Sequence, residues 1–178
     1  MTPPDRRRPG RLAEKYGGAM AGLFWITPDT VHLGAPPGSG ASSVALTAAG
    51  LTALGPQAGF LSWQDVRSVR VEDVPARTSA RLSLARILEA VVGPRSPTEM
   101  TVRIAAGDGT RLTVPVHSAA ASAYTAREAE LSQRLLDRFA EGRSSPAVLM
   151  HWLTTTSASR PPRPAEREAL LHRWTQDI

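Results

Sequence analysis

The stretch "FLSWQDVRSVRVEDV", residues 60–74, decides how the chain is read. From Val69 onward, Val69 and Val71 alternate with Arg70 and Glu72, the period of two that marks a strand with one buried face. Val66 falls out of this phase, which fits a turn over Gln64-Asp65-Val66 leading into the strand. Trp63 stands just before that turn, where a large ring closes the end of a core. The stretch predicts a β-rich core with an aromatic anchor, and it carries no group arranged for catalysis.

Toward the N-terminus, "GLFWIT" (22–27) and "VHLGA" (31–35) read as strands separated by the turn residues Pro28-Asp29-Thr30. "PPGSGASS" (36–43) is a loop by composition, and "VALTAAGLTAL" (44–54) gives two short strands around Ala49-Gly50. Toward the C-terminus the period changes. In 78–93, Leu84, Ile87, Leu88, Val91 and Val92 share one helical face, opposite Ser83, Arg86 and Glu89. "EMTVRIAAGDGTRLTVPV" (99–116) is a hairpin turning at Gly107-Asp108-Gly109. Thr125 and Glu128 form a capping box before the stripe Leu131, Leu135, Leu136 and Phe139, and Gly142 ends that helix. "PAVLMHWL" (146–153) starts a second helix at its proline. These signals predict a basic disordered arm over 1–19, one domain over 20–153, a linker over 154–163 and an amphipathic helix over 164–178.

Composition bounds the function classes. The 178 residues are 42% hydrophobic and 21% charged, a globular balance. No cysteine is present, so disulfides and thiolate metal sites are excluded. The longest apolar run, "AMAGLFWI" (19–26), is far short of the roughly 20 residues needed to cross a bilayer. No signal peptide is evident, so a cytoplasmic protein is expected. The net charge of +5 is uneven: the arm contributes +3, while residues 20–153 set twelve arginines against eleven acids. Arginine supplies 20 of the 21 basic residues, a bias that with many Ala, Gly and Pro points to a GC-rich genome before phosphate recognition.

The order of elements, seven strands (22–27, 31–35, 44–46, 51–54, 67–74, 99–106 and 110–117) followed by a long helix, resembles the pleckstrin-homology-like (PH-like) fold. Within it, "Leu61-Ser62-Trp63-Gln64-Asp65-Val66" is similar to the aliphatic-x-Trp-x-Asp-Ile/Val approach to a core strand in bacterial PH-like domains. The resemblance covers residues 22–141 and extends to actinobacterial proteins of this layout. It implies an α+β fold: a seven-stranded antiparallel, partly open barrel closed by an amphipathic helix. The helix over 78–93 would be an insertion between strands five and six, and the C-terminal helices an extension. Trp63 would fill the barrel end, with Asp65 starting the turn and Val66 docked beneath. PH-like domains use rims and exposed edges for peptides, proteins or anionic headgroups.

The residues themselves favour binding over catalysis. His32, His117, His151 and His172 show no ligand spacing such as HExxH, no G-x-S-x-G elbow occurs, and "GAPPGSG" (34–40) lacks a P-loop lysine. No cofactor and no metal are expected, and an enzyme would need His32 or His117 joined to a carboxylate in a cleft. A non-enzymatic scaffold is expected, with a protein partner or self-association. The stripe Leu170, Leu171, Trp174 and Ile178 is its candidate contact, since an isolated helix of this length must dock to be stable. Arg77, Arg81, Arg86 and Arg95, offset only by Glu89, make an anionic membrane surface the alternative partner. Nucleic acid is not expected, because no aromatic residue interleaves "RRRPGR".

Overall fold

The alternation around Val69 forms a strand, and its partners emerge in the computed structural model, which describes residues 17–38, 42–77, 99–120, 123–156 and 161–176. Six short strands come first: β1 (Ala19–Ala21), β2 (Phe24–Ile26), β3 (Val31–Leu33), β4 (Ser43–Leu46), β5 (Gly50–Leu54) and β6 (Gly59–Ser62). Each pairs antiparallel with the next, so this sheet is a plain meander in chain order. A second antiparallel sheet has the order β10-β9-β7, from β7 (Val66–Glu72), β9 (Glu99–Ala106) and β10 (Arg111–His117). A two-stranded parallel pair, β8 (Ala76–Arg77) with β11 (Tyr124–Thr125), leads into helix α1 (Ala126–Ala140). Helices α2 (Ala147–Thr155) and α3 (Pro164–Thr175) complete an α+β architecture.

One core joins the sheets to the helices. The meander gives it Val31, Leu33, Val44, Leu46 and Leu51; the second sheet gives it Val69, Val102, Ile104 and Val114. Across them lies α1, whose stripe of Leu131, Leu135, Leu136 and Phe139 is buried as its period requires. The capping box at its start is complete: the Thr125 hydroxyl accepts from the Glu128 N–H at 3.0 Å, and Glu128 Oε2 accepts from the Thr125 N–H at 2.9 Å.

Trp63 answers the opening stretch. Half-buried in the turn between β6 and β7, it donates its indole N–H to the Thr47 carbonyl at 2.8 Å, and its ring centroid lies 5.8 Å from that of Phe139. The meander and α1 are thereby tied at one end. Asp65 accepts from the Ser62 hydroxyl at 2.8 Å, and Val66 is buried.

Several expectations change. Eleven strands stand among the described residues where seven were expected, and no ladder joins the two larger sheets into a closed barrel. The run 22–27 is a turn at Gly22-Leu23 followed by β2, and Ala19, expected in the arm, already pairs with Ile26; residues 1–16 lie outside the described residues. Val66 leaves the phase of Val69 because of a β-bulge between Val66 and Ser68, not because a turn includes it. The helix expected over 78–93 lies outside the described residues, and the expected linker starts two residues late because α2 runs on to Thr155.

Helix α1 also finishes an edge. The outward N–H of Val71 donates to Gln133 Oε1 at 3.1 Å, and Gln133 Nε2 donates to the Val69 carbonyl at 2.7 Å. One side-chain amide thus stands in for a neighbouring strand. Gln133→Ala should leave both groups unpaired and lower stability by about 1–3 kcal/mol in urea denaturation. A loss below about 0.5 kcal/mol would mean that water replaces the glutamine without cost.

Candidate functional site

Sheet edges expose backbone donors and acceptors, so the four edges of the two larger sheets indicate where a partner can be added. Three are packed over or partly capped by the chain itself. Helix α3 lies against β1, and Gln133 holds β7. On β10, the Ala106 N–H donation to Thr110 sets the parity, so Thr113, Pro115 and His117 turn their backbone groups outward. There the Thr113 N–H donates to Gln57 Oε1 at 3.0 Å, the His117 carbonyl accepts from the Ala35 N–H at 2.6 Å, and Pro115 has no N–H to offer.

The fourth edge is β6, which among the described residues pairs with β5 alone. The Trp63 N–H points toward the Ala49 carbonyl, so Leu61 and Gly59 face β5 while Phe60 and Ser62 turn outward. The Ser62 carbonyl is taken by the Asp65 N–H at 3.0 Å. No described group occupies the N–H and carbonyl of Phe60.

Side chains make this edge apolar. Phe60 is 58% exposed and Leu54 is 39% exposed. Phe60 stands opposite Thr52, in a row that runs through Ala45 and His32 to the buried Trp25. Its ring also leans over Gly50, where a Cβ would come within 2.8 Å of the ring tip, so the missing side chain makes room for it. A shallow groove adjoins Leu54, lined by Pro56, Gln57 and Pro115.

The sequence-predicted residues lie elsewhere. Leu171 and Trp174 are buried against the chain's own core, with Trp174 edge-on to Trp152 at 5.6 Å, and Leu170 is half-buried. Ile178, Arg81, Arg86 and Arg95 lie outside the described residues; Arg77 is placed by its backbone, paired with Thr125. Phe60 carried one signal that sequence reading overlooked. Consecutive strand residues face opposite ways, so Phe60 and Leu61 cannot both be buried in a sheet with one core face.

Titratable groups are sparse at the edge. His32 is half-buried in the row next to Ala45, its Nδ1 is buried without a hydrogen-bond partner, and burial lowers its pKa from 6.5. Neither His32 nor His117 hydrogen-bonds a carboxylate among the described residues. Nor do three of His, Asp and Glu gather there to hold a metal, and no described helix is long and apolar enough to cross a membrane. Comparison with protein-family models, curated proteins and solved structures gives no match.

The lowered pKa of His32 has a definite sign. The unfolded chain binds the proton more readily, so the contribution of neutral His32 is present above pH 6.5 and is lost as pH falls below it. Melting temperature should therefore drop more steeply for the wild type than for His32→Gln between pH of about 7.5 and 5. Parallel curves for the two proteins would show that the imidazole charges without cost.

Proposed function

We propose that this chain is a non-enzymatic protein-binding module on a PH-like framework, which captures an extended segment of a protein partner by strand addition along β6. The observation that carries this reading is the free Phe60 edge. The other three edges are packed over or partly capped by the chain's own groups, while among the described residues the fourth keeps an outward N–H and carbonyl beside a largely exposed aromatic ring. Main-chain pairing gives such a site its affinity, and alternate side chains of the added strand give it selectivity. An added segment would set apolar residues against Phe60 and Leu54 on the outer face.

The PH-like framework has support in the order of the elements. A strand meander precedes three antiparallel strands, and an amphipathic helix with Phe139 at its end then packs between Phe24 and Trp63. Fold alone does not choose a ligand, so the reading rests on the edge.

Phe60→Pro removes both roles of the residue, and Phe60→Lys removes the ring alone. Proline removes the outward N–H and the ring, yet leaves the ladder bonds to β5, which Leu61 and Gly59 make. A photoreactive residue at position 60 should cross-link a partner in cells, and that partner should bind Phe60→Pro and Phe60→Lys at least about tenfold more weakly than wild type. Both variants should keep a wild-type melting temperature. A partner cross-linked elsewhere and bound equally by all three proteins would remove β6 from the binding surface.

A further inference from the structure

The donors and acceptors along the β6 edge follow an order with a symmetry of its own. A trans peptide points its carbonyl and the following N–H in opposite directions. Gly59, Leu61 and Trp63 turn their N–H groups toward β5 and Ala49, so the carbonyls of Ala58, Phe60 and Ser62 point away from the sheet. The N–H groups of Phe60 and Ser62 point away as well. Two groups at the ends are engaged within the chain: the Ala58 N–H donates to the Gly55 carbonyl at 3.1 Å, and the Ser62 carbonyl accepts from the Asp65 N–H at 3.0 Å. Among the described residues, nothing pairs with the Ala58 carbonyl, the Phe60 N–H and carbonyl, or the Ser62 N–H.

That open set is its own complement. A two-fold axis at Phe60, normal to the sheet, sets Phe60 against a second copy's Phe60 and Ser62 against that copy's Ala58. The two Phe60 residues then exchange both backbone bonds, and each Ser62 N–H donates to the other copy's Ala58 carbonyl. The bond that this register omits, from the Ala58 N–H to the Ser62 carbonyl, would join the two groups each chain has already engaged. Every open group gains a partner, and no engaged group is needed twice. An unrelated antiparallel segment in the same register brings a further N–H to the Ser62 carbonyl and a further carbonyl to the Ala58 N–H, and both stay unmatched.

Side chains agree with this symmetry. Both Phe60 rings fall on one face of the joined sheet, with Cα atoms about 5.5 Å apart, where aromatic pairs attract. On the other face Leu61 meets the second copy's Gly59, where even a Cβ would touch nothing within 4 Å of its own chain. No Asp, Glu, Lys or Arg occurs from Thr30 to Gln64, so two identical edges approach without repulsion. A charged edge strand would oppose its own copy, which is a common protection of such edges.

We infer that the occupant of the β6 edge is a second copy of the chain: two chains pair antiparallel through β6 about a two-fold axis at Phe60, and their six-stranded meanders join into one sheet. The inference rests on β6 being the binding edge, and it names the partner. Few hydrogen bonds and one aromatic pair make a small interface, so the pairing is reversible and the free chain prevails at low concentration.

The chain has no cysteine, so introduced thiols report the register cleanly. An equal mixture of full-length Ala58→Cys and Ser62→Cys keeps Phe60 and every backbone bond. It should give dimers with a thiol cross-linker that spans about 5 Å, the separation of opposed residues. Either variant alone should give at least tenfold less, because equivalent positions then lie about 14 Å apart along the strands. In sedimentation equilibrium the wild type should dimerise reversibly between about 1 and 200 μM, and Phe60→Lys, which opposes two ammonium groups, should raise the dissociation constant at least tenfold. A wild type that stays monomeric throughout overturns the inference, and so does a dimer that Phe60→Lys leaves intact. Thiols that link as well in either variant alone as in the mixture overturn it too. Cross-linking from position 60 in cells then separates the two claims. Capture of a different protein leaves β6 a binding edge with another occupant, whereas no capture at all removes the edge as well.

Discussion

A single glutamine amide fixes where the long helix lies. Gln133 offers a carbonyl to the Val71 N–H and an N–H to the Val69 carbonyl, so α1 runs along β7 in one register. The rest of the packing depends on that register. With Gln133 on the strand, Leu131 and Leu135 face the core, and Phe139 reaches Phe24 and Trp63. At the other end the same helix brings Glu128 to the buried point where Arg167 meets it. Backbone polar groups left without partners in a desolvated site cost more than most single contacts return, so closing the edges constrains the whole architecture.

Function follows from where that constraint is relaxed. A second glutamine, Gln57, accepts from the outward Thr113 N–H of β10, and Pro115 removes a donor from the same edge. The two glutamines come from a turn and a helix, so nothing suggests that they arise from one local motif. On β6 no such device operates among the described residues, and Phe60 remains mostly outside although an aromatic ring of this size gains considerably from burial. An edge that is both apolar and open invites aggregation unless it serves a binding purpose. The strand is short, only four residues, which limits that risk while leaving room for one added segment.

Legibility tracked the range of the interactions. Signals confined to a few residues were readable: the Thr125–Glu128 box, the hairpin around Asp108, and the stripe of α3 that buries Leu171 and Trp174. What depends on distant partners was not. Gln57 and Thr113 are 56 residues apart, Gln133 and Val71 are 62 apart, and a glutamine has no distinctive sequence pattern when it caps an edge. The bulge at Val66–Ser68 looked like a turn because both shift the alternation by one residue. Strands β1 and β6 went unseen because each is three or four residues long and was read as part of the arm or of the approach to Trp63. The exposure of Phe60 was hidden for a related reason: it depends on β6 being last in its sheet, a fact of topology.

Residue-resolved amide hydrogen exchange on the free full-length chain tests the edge argument most directly. The amides of Val71 and Thr113 have no strand partner on their side, yet they should exchange as slowly as ladder amides such as that of Ile104, because glutamine side chains hold them. The amide of Phe60 should exchange close to the rate of an unstructured peptide. Slow exchange at Phe60, or fast exchange at both Val71 and Thr113, would contradict the view that glutamines cap the β7 and β10 edges while the β6 edge is left to bind.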